Sequence, residues 1–156
     1  MTESATEKHA AIARLAGHWQ GEETMHPPGA EEPVHVTSVI QSRMELGGWF
    51  LFMGYAQLQD GSPSYTAHGV MGLDHSGDKV TLYWFDSQGW NPQQPFVGEW
   101  DGDTLQLSVV SDNGHDRLTY VLQGPDQYTT KVENSADGSH WNTLIEGTYR
   151  RTDTVG

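Results

Sequence analysis

From residue 19 to residue 151 the apolar residues of this chain return at every second position. Leu105, Leu107 and Val109 alternate with Thr104, Gln106 and Ser108. Leu118, Tyr120 and Leu122 alternate with Arg117, Thr119 and Gln123, and Val80, Leu82 and Trp84 and then Tyr128, Thr130 and Val132 repeat the pattern. Side chains change face at each residue of a strand, so this period describes strands with one dry face and one wet face. Turn-forming pairs and triplets separate the runs: Asp60-Gly61, Ser76-Gly77, Asp101-Gly102, Asn113-Gly114, Gly124-Pro125-Asp126 and Asp137-Gly138. The punctuation predicts ten strands near 19–26, 34–46, 49–58, 64–73, 79–86, 95–100, 104–111, 116–123, 127–135 and 141–151. Connections this short make successive strands antiparallel neighbours. Closing such a meander on itself removes its exposed edges, so the expected fold is all-β, a ten-stranded antiparallel up-and-down barrel.

The first residues have a different period. Ser4 and Glu7 have capping-box spacing, Ala10 to Leu15 supply small and apolar residues, and Gly17 stops the run. A short N-terminal helix over about 5–15, then a barrel over about 18–151, makes one domain of residues 1–156. A helix with so little apolar surface suits a plug on a larger body. The chain carries 21 acidic against 8 basic residues and a formal net charge of −13, so it repels phosphates. Neither a nucleic-acid nor a membrane partner is expected. The chain has no cysteine, hence no disulfide or thiolate chemistry. No apolar run approaches bilayer length and no leader is recognisable in the first eight residues, so a cytoplasmic protein is the expectation.

In an up-and-down barrel alternate connections emerge at one end. The first and fifth connections, Pro27 to Pro33 and Asp86 to Gln94, are the longest and share an end, with His115 and His140 near it. The leading helix falls at the other end. One end plugged and one end rich in loops describes a cup, and cups of this size hold small ligands.

The segment Leu15-Ala-Gly17-His-Trp19-Gln-Gly21-Glu resembles the opening strand of lipocalins and other calycins, and Glu146-Gly-Thr-Tyr149-Arg150-Arg151 resembles their closing strand. The stretches Gly69-Val-Met-Gly72-Leu-Asp74, Tyr83-Trp84-Phe85-Asp86-Ser87 and Ser135-Ala-Asp137-Gly138-Ser-His140-Trp141 resemble the bacterial family called domain of unknown function 1579. The resemblance covers about residues 9 to 151 and implies a calycin-like, lipocalin-like barrel. It also implies that Arg150 or Arg151 stacks on Trp19 at the closed end, a cation–π contact. Nitrobindins, a distantly similar ten-stranded group, bind haem through a histidine of the last strand. Here that position falls near Leu144, which cannot ligate iron, and His140 lies at the turn before it. No cofactor is expected; haem is admitted as an alternative but disfavoured.

Other candidate chemistry is weighed residue by residue. The eight histidines, among them His26, His35, His68, His115 and His140, show no ligand spacing, and no metal site is expected. Asp74, Ser76 and Asp78 have the start of a calcium-loop spacing, but Phe85 stands where the late Glu is needed, so a turn is the better reading. Parity from an inward Trp19 sends Gly21, Glu23 and Met25 inward. A buried Glu23 could orient or protonate a ligand, unless a bulge turns it outward or Arg43 pairs with it. Trp84, Tyr120 and Tyr128 lie on inward faces, Trp49 or Phe50 with Phe52 or Met53 add to them, and Trp90 sits in the long fifth connection. The expected ligand-binding set is Glu23, Met53, Trp84, Trp90, Tyr120 and Tyr128, and the expected partner is a small, mostly apolar molecule held by a carrier or sensor. Two alternatives stay open. One is an isomerase or hydrolase in the same cavity using Glu23, a tyrosine or a rim histidine; the other is an interaction module with a filled barrel. Whether the chain is an enzyme, and whether it forms a homodimer, the residues leave undecided.

Overall fold

A computed structural model describes residues 3–152. It opens with α1 (Glu3–Ala13) and continues as ten strands: β1 (Gly17–Met25), β2 (Val34–Glu45), β3 (Phe50–Gln59), β4 (Ser62–Leu73), β5 (Val80–Asp86), β6 (Phe96–Asp101), β7 (Thr104–Ser111), β8 (Gly114–Leu122), β9 (Gln127–Ser135) and β10 (Asn142–Thr152). Each strand pairs antiparallel with the next, and β1 pairs with β10 to close the barrel. The cap expected at Ser4 falls among side chains outside those described. The helix ends at Ala13, two residues before the expected limit, and Gly17 opens β1 at φ +132° instead of ending a helix.

The local causes are those of the sequence pattern. Asp60 and Gly61 join β3 to β4 with φ of 52° and 81°, both left-handed, as a two-residue hairpin matched to strand twist requires. The Asp74 carboxylate accepts the Ser76 hydroxyl at 2.8 Å and the Asp78 amide at 3.0 Å, so the calcium-like spacing serves a turn. These bonds, the Ser76 hydroxyl foremost, hold the Asp74 carboxyl below its ordinary value.

Inward positions build the core, with Leu51, Met71, Leu82, Leu105, Leu107 and Tyr128 fully buried. The even-numbered connections gather at the end where α1 lies. Ile12 and Leu15 are buried there, and Lys8 and Arg14 pair with Asp78 at 3.2 Å and Asp103 at 3.0 Å. Trp19 donates its indole N–H to the Leu15 carbonyl at 3.0 Å. Of the two candidate arginines it is Arg151 that covers the ring, 4.2 Å from its centroid. The Arg151 guanidinium also donates to the carbonyls of Ala16 and Pro125, both at 2.8 Å, which ties the α1–β1 and β8–β9 connections to the last strand.

The wall is uneven. β5 and β6 share only three residue pairs, Val80–Gly98, Thr81–Val97 and Leu82–Phe96, and beyond Leu82 the strands part. Trp84 and Phe96 flank the place where they separate. Among the described residues no helix is long and apolar enough to cross a membrane.

The closed end carries a direct test. Trp19→Ala removes a buried ring and its hydrogen bond and should cost about 3–5 kcal/mol in denaturant unfolding. Arg151→Ala, which removes the cation–π contact, should cost about 1 kcal/mol. Near-neutral behaviour of Trp19→Ala would contradict the assignment of this contact as the barrel's fastening.

Candidate functional site

Above the Trp19 layer the barrel interior is not filled. A cavity of about 370 Å³ opens between the odd-numbered connections. Its walls are mostly apolar, with Ile40, Met53, Leu82, Phe96, Leu118 and Val132 among them. Five of the six expected site residues line it: Glu23, Met53, Trp84, Tyr120 and Tyr128. Trp90 does not. It is 81% exposed on the connection between β5 and β6, because a loop residue has no strand parity to direct its side chain inward.

Glu23 is the polar centre. β1 runs in unbroken register against β2, so no bulge intervenes and Glu23 stays on the inner face, 3% exposed. Arg43 does not reach it and pairs with Glu45 instead. Its partners are phenols. The Tyr55 hydroxyl donates to both carboxylate oxygens at 2.7 Å, and the Tyr149 hydroxyl donates to Oε2. Gln57 Nε2 donates to the Tyr55 hydroxyl at 2.8 Å, and Thr130 Oγ1 to the Tyr149 hydroxyl at 3.3 Å. A relay of neutral donors thus converges on one carboxylate.

Two glycines make room for it. Gly21 stands opposite Tyr149 across the closing pair, and Gly147 stands opposite Glu23. A Cβ on Gly21 would meet the Tyr149 ring at 2.5 Å, and one on Gly147 would meet the Tyr149 hydroxyl at 2.6 Å. Only without those side chains can the ring lie flat along the wall and reach Glu23. Below it the Tyr149 ring stacks on Tyr128, centroids 5.0 Å apart, and Tyr128 meets Trp19 edge-on at 4.6 Å. A column of rings therefore runs from the Arg151 fastening to the carboxylate.

A second polar group sits on the wall formed by β4 and β5. The Tyr65 hydroxyl donates to Asp86 at 2.7 Å and accepts the Trp84 indole N–H at 3.1 Å. Burial, foremost, pushes the Tyr65 phenol up to about 12. Burial also raises Tyr55, Tyr120, Tyr128 and Tyr149, and the negative field of Glu23 adds to the rise at Tyr55 and Tyr149. The Tyr128 hydroxyl is fully buried and has no hydrogen-bond partner among the described residues.

Tyr55, Gln57 and Tyr149 were not among the sequence candidates. The signal for the first two was present: Met53 inward sends Tyr55 and Gln57 inward by the same parity. Phe52 and Phe50 occupy the other phase, and Trp49 packs against His9 at the closed end. No histidine lines the cavity. His35 and His68 are exposed on the outer face, and His140 bonds Asp137 at 2.8 Å on the rim. Leu144 lies at a bulge of β10, where its carbonyl accepts the His26 amide at 2.7 Å. Among the described residues no group of three acidic or histidine side chains is placed to hold a metal ion.

The fold is shared with solved structures of low sequence identity. Rv2717c from M. tuberculosis superposes with a TM-score of 0.71 at 16% identity, over 97% of this chain and 99% of its own. The S-type phycobiliprotein lyase CPES from Guillardia theta gives 0.65 at 14% identity, over 97% of each chain. A redesigned β-barrel gives 0.51 at 14% identity, over 92% of this chain and 96% of its own. At such identities the likeness establishes the closed antiparallel barrel fold and nothing about its task. No curated protein matches the sequence. The family model for the protein of unknown function DUF1579 matches residues 4–151, nearly the whole chain, and the chain therefore belongs to the DUF1579 family.

Proposed function

We propose that this protein binds a small, mostly apolar molecule inside the barrel, as a carrier or sensor. The cavity carries the reading: about 370 Å³, open at one end, with largely apolar walls and a few convergent polar groups. The ligand-contacting side chains in this reading are Glu23, Met53, Trp84, Tyr120 and Tyr128, joined by Tyr55, Gln57 and Tyr149. Raised by burial, the phenols keep their protons at neutral pH and can donate hydrogen bonds to a ligand.

The uncharged fluorophore N-phenyl-1-naphthylamine tests the reading. Its fluorescence should rise saturably with one site per chain. Trp84→Ala should weaken it, Val132→Trp should abolish it by filling the cavity with the fold intact, and Trp90→Ala should change neither binding nor stability. Unsaturable or absent enhancement in the native protein would count against an accessible cavity.

The same phenols set an alkaline limit on stability. Their folded values lie above the ordinary value of 10.0, so the folded state holds its protons more tightly than the unfolded chain. The stability these phenols contribute is fully present below about pH 10 and is lost as pH rises from there toward the folded values. Tyrosinate absorbance followed alongside circular dichroism should show the buried phenols ionising together with unfolding. Stepwise ionisation at ordinary values in a still-folded barrel would show that these hydroxyls are solvated.

A further inference from the structure

We infer that the ligand of this cavity is a cationic amphiphile, a protonated amine on an apolar body, with Glu23 as its counter-charge. The inference rests on the cavity reading above and specifies its chemistry. The lining contains one carboxylate and no lysine, arginine or histidine. A carboxylate has room for about four hydrogen bonds. Among the described residues Glu23 receives donors from Tyr55 and Tyr149 only, both neutral, which leaves lone pairs open and no cation beside the carboxylate. Burying an uncompensated charge is costly, and a ligand ammonium is the group that removes the cost. The Trp84 and Tyr55 rings on the cavity wall, centroids 5.8 Å apart, give the same ligand aromatic faces that attract cations.

The charge distribution outside the cavity agrees. The five connections at the open end carry Glu31, Glu32, Asp60, Asp112 and Asp137 and not one lysine or arginine. The basic residues lie elsewhere. Lys8, Arg14, Arg43, Lys79, Arg150 and Arg151 lie in the helix or in the connections and strand ends on its side, and Arg117 and Lys131 lie along the barrel wall, Arg117 engaged by Glu133. An acidic mouth above a buried carboxylate draws in cations and repels fatty acids and other anions.

Isothermal titration with octylamine, 1-octanol and octanoate, matched in length, decides the matter. Octylamine should bind about tenfold or more tightly than 1-octanol, and octanoate should bind more weakly than either. Added salt should weaken the amine and leave the alcohol unchanged. Glu23→Gln, checked for a native circular dichroism spectrum, should erase the amine's advantage while leaving 1-octanol within a few-fold of its native affinity. The ranking in the native protein stands as a test even if that variant fails to fold. Equal or tighter binding of the alcohol or of octanoate overturns the cationic assignment and leaves the cavity reading intact. Binding of none of the three overturns both.

Discussion

Pairing of the first strand with the last is the constraint on which this molecule depends. It sets Trp19 opposite Arg151, Gly21 opposite Tyr149 and Glu23 opposite Gly147. One ladder thus builds the fastening at the closed end, the slot for the tyrosine ring, and the carboxylate at the cavity. These partners are more than a hundred residues apart in sequence, so none can form until the meander between them is in place. Long-range closure of this kind is slow to reach and cooperative once reached. It also means that losing the barrel's closure would take the carboxylate's hydrogen bonds with it.

The carboxylate explains why the interior is arranged as it is. A charged group inside an apolar barrel needs donors, and the barrel supplies them as phenols, each supported by a second neutral donor. Phenols satisfy hydrogen bonds without cancelling charge. An arginine in the same place would have made a closed ion pair, stable in itself and indifferent to any visitor. Arg43 and Arg117, on β2 and β8, pair instead with Glu45 and Glu133.

Much of the fold was legible because it is local. Period-two alternation and Asp-Gly turns locate every strand to within a few residues, and parity counted from Trp19 placed Glu23 indoors. Parity counted from Met53 would have added Tyr55 and Gln57, but competing aromatic residues at 49, 50 and 52 obscured the phase. Tyr149 was illegible for another reason. Its hydroxyl reaches Glu23 only because Gly21 and Gly147 leave space, and the pairing that aligns them is a property of the closed barrel. Trp90 shows the converse limit: outside a strand no periodicity governs direction, and a large aromatic residue stands in solvent.

The thin seam between β5 and β6 has a mechanical meaning. Neighbouring strands elsewhere in the barrel are held by five or more consecutive pairs, whereas this seam has three, all toward the closed end. Local opening follows the path of fewest shared hydrogen bonds. The barrel therefore behaves less like a rigid can than like a cylinder with a slit beside Trp84 and Phe96, able to widen its girth there without disturbing the pair that closes it. Accommodation of a bulky body would be absorbed at that slit, while the carboxylate on the opposite pairing holds still.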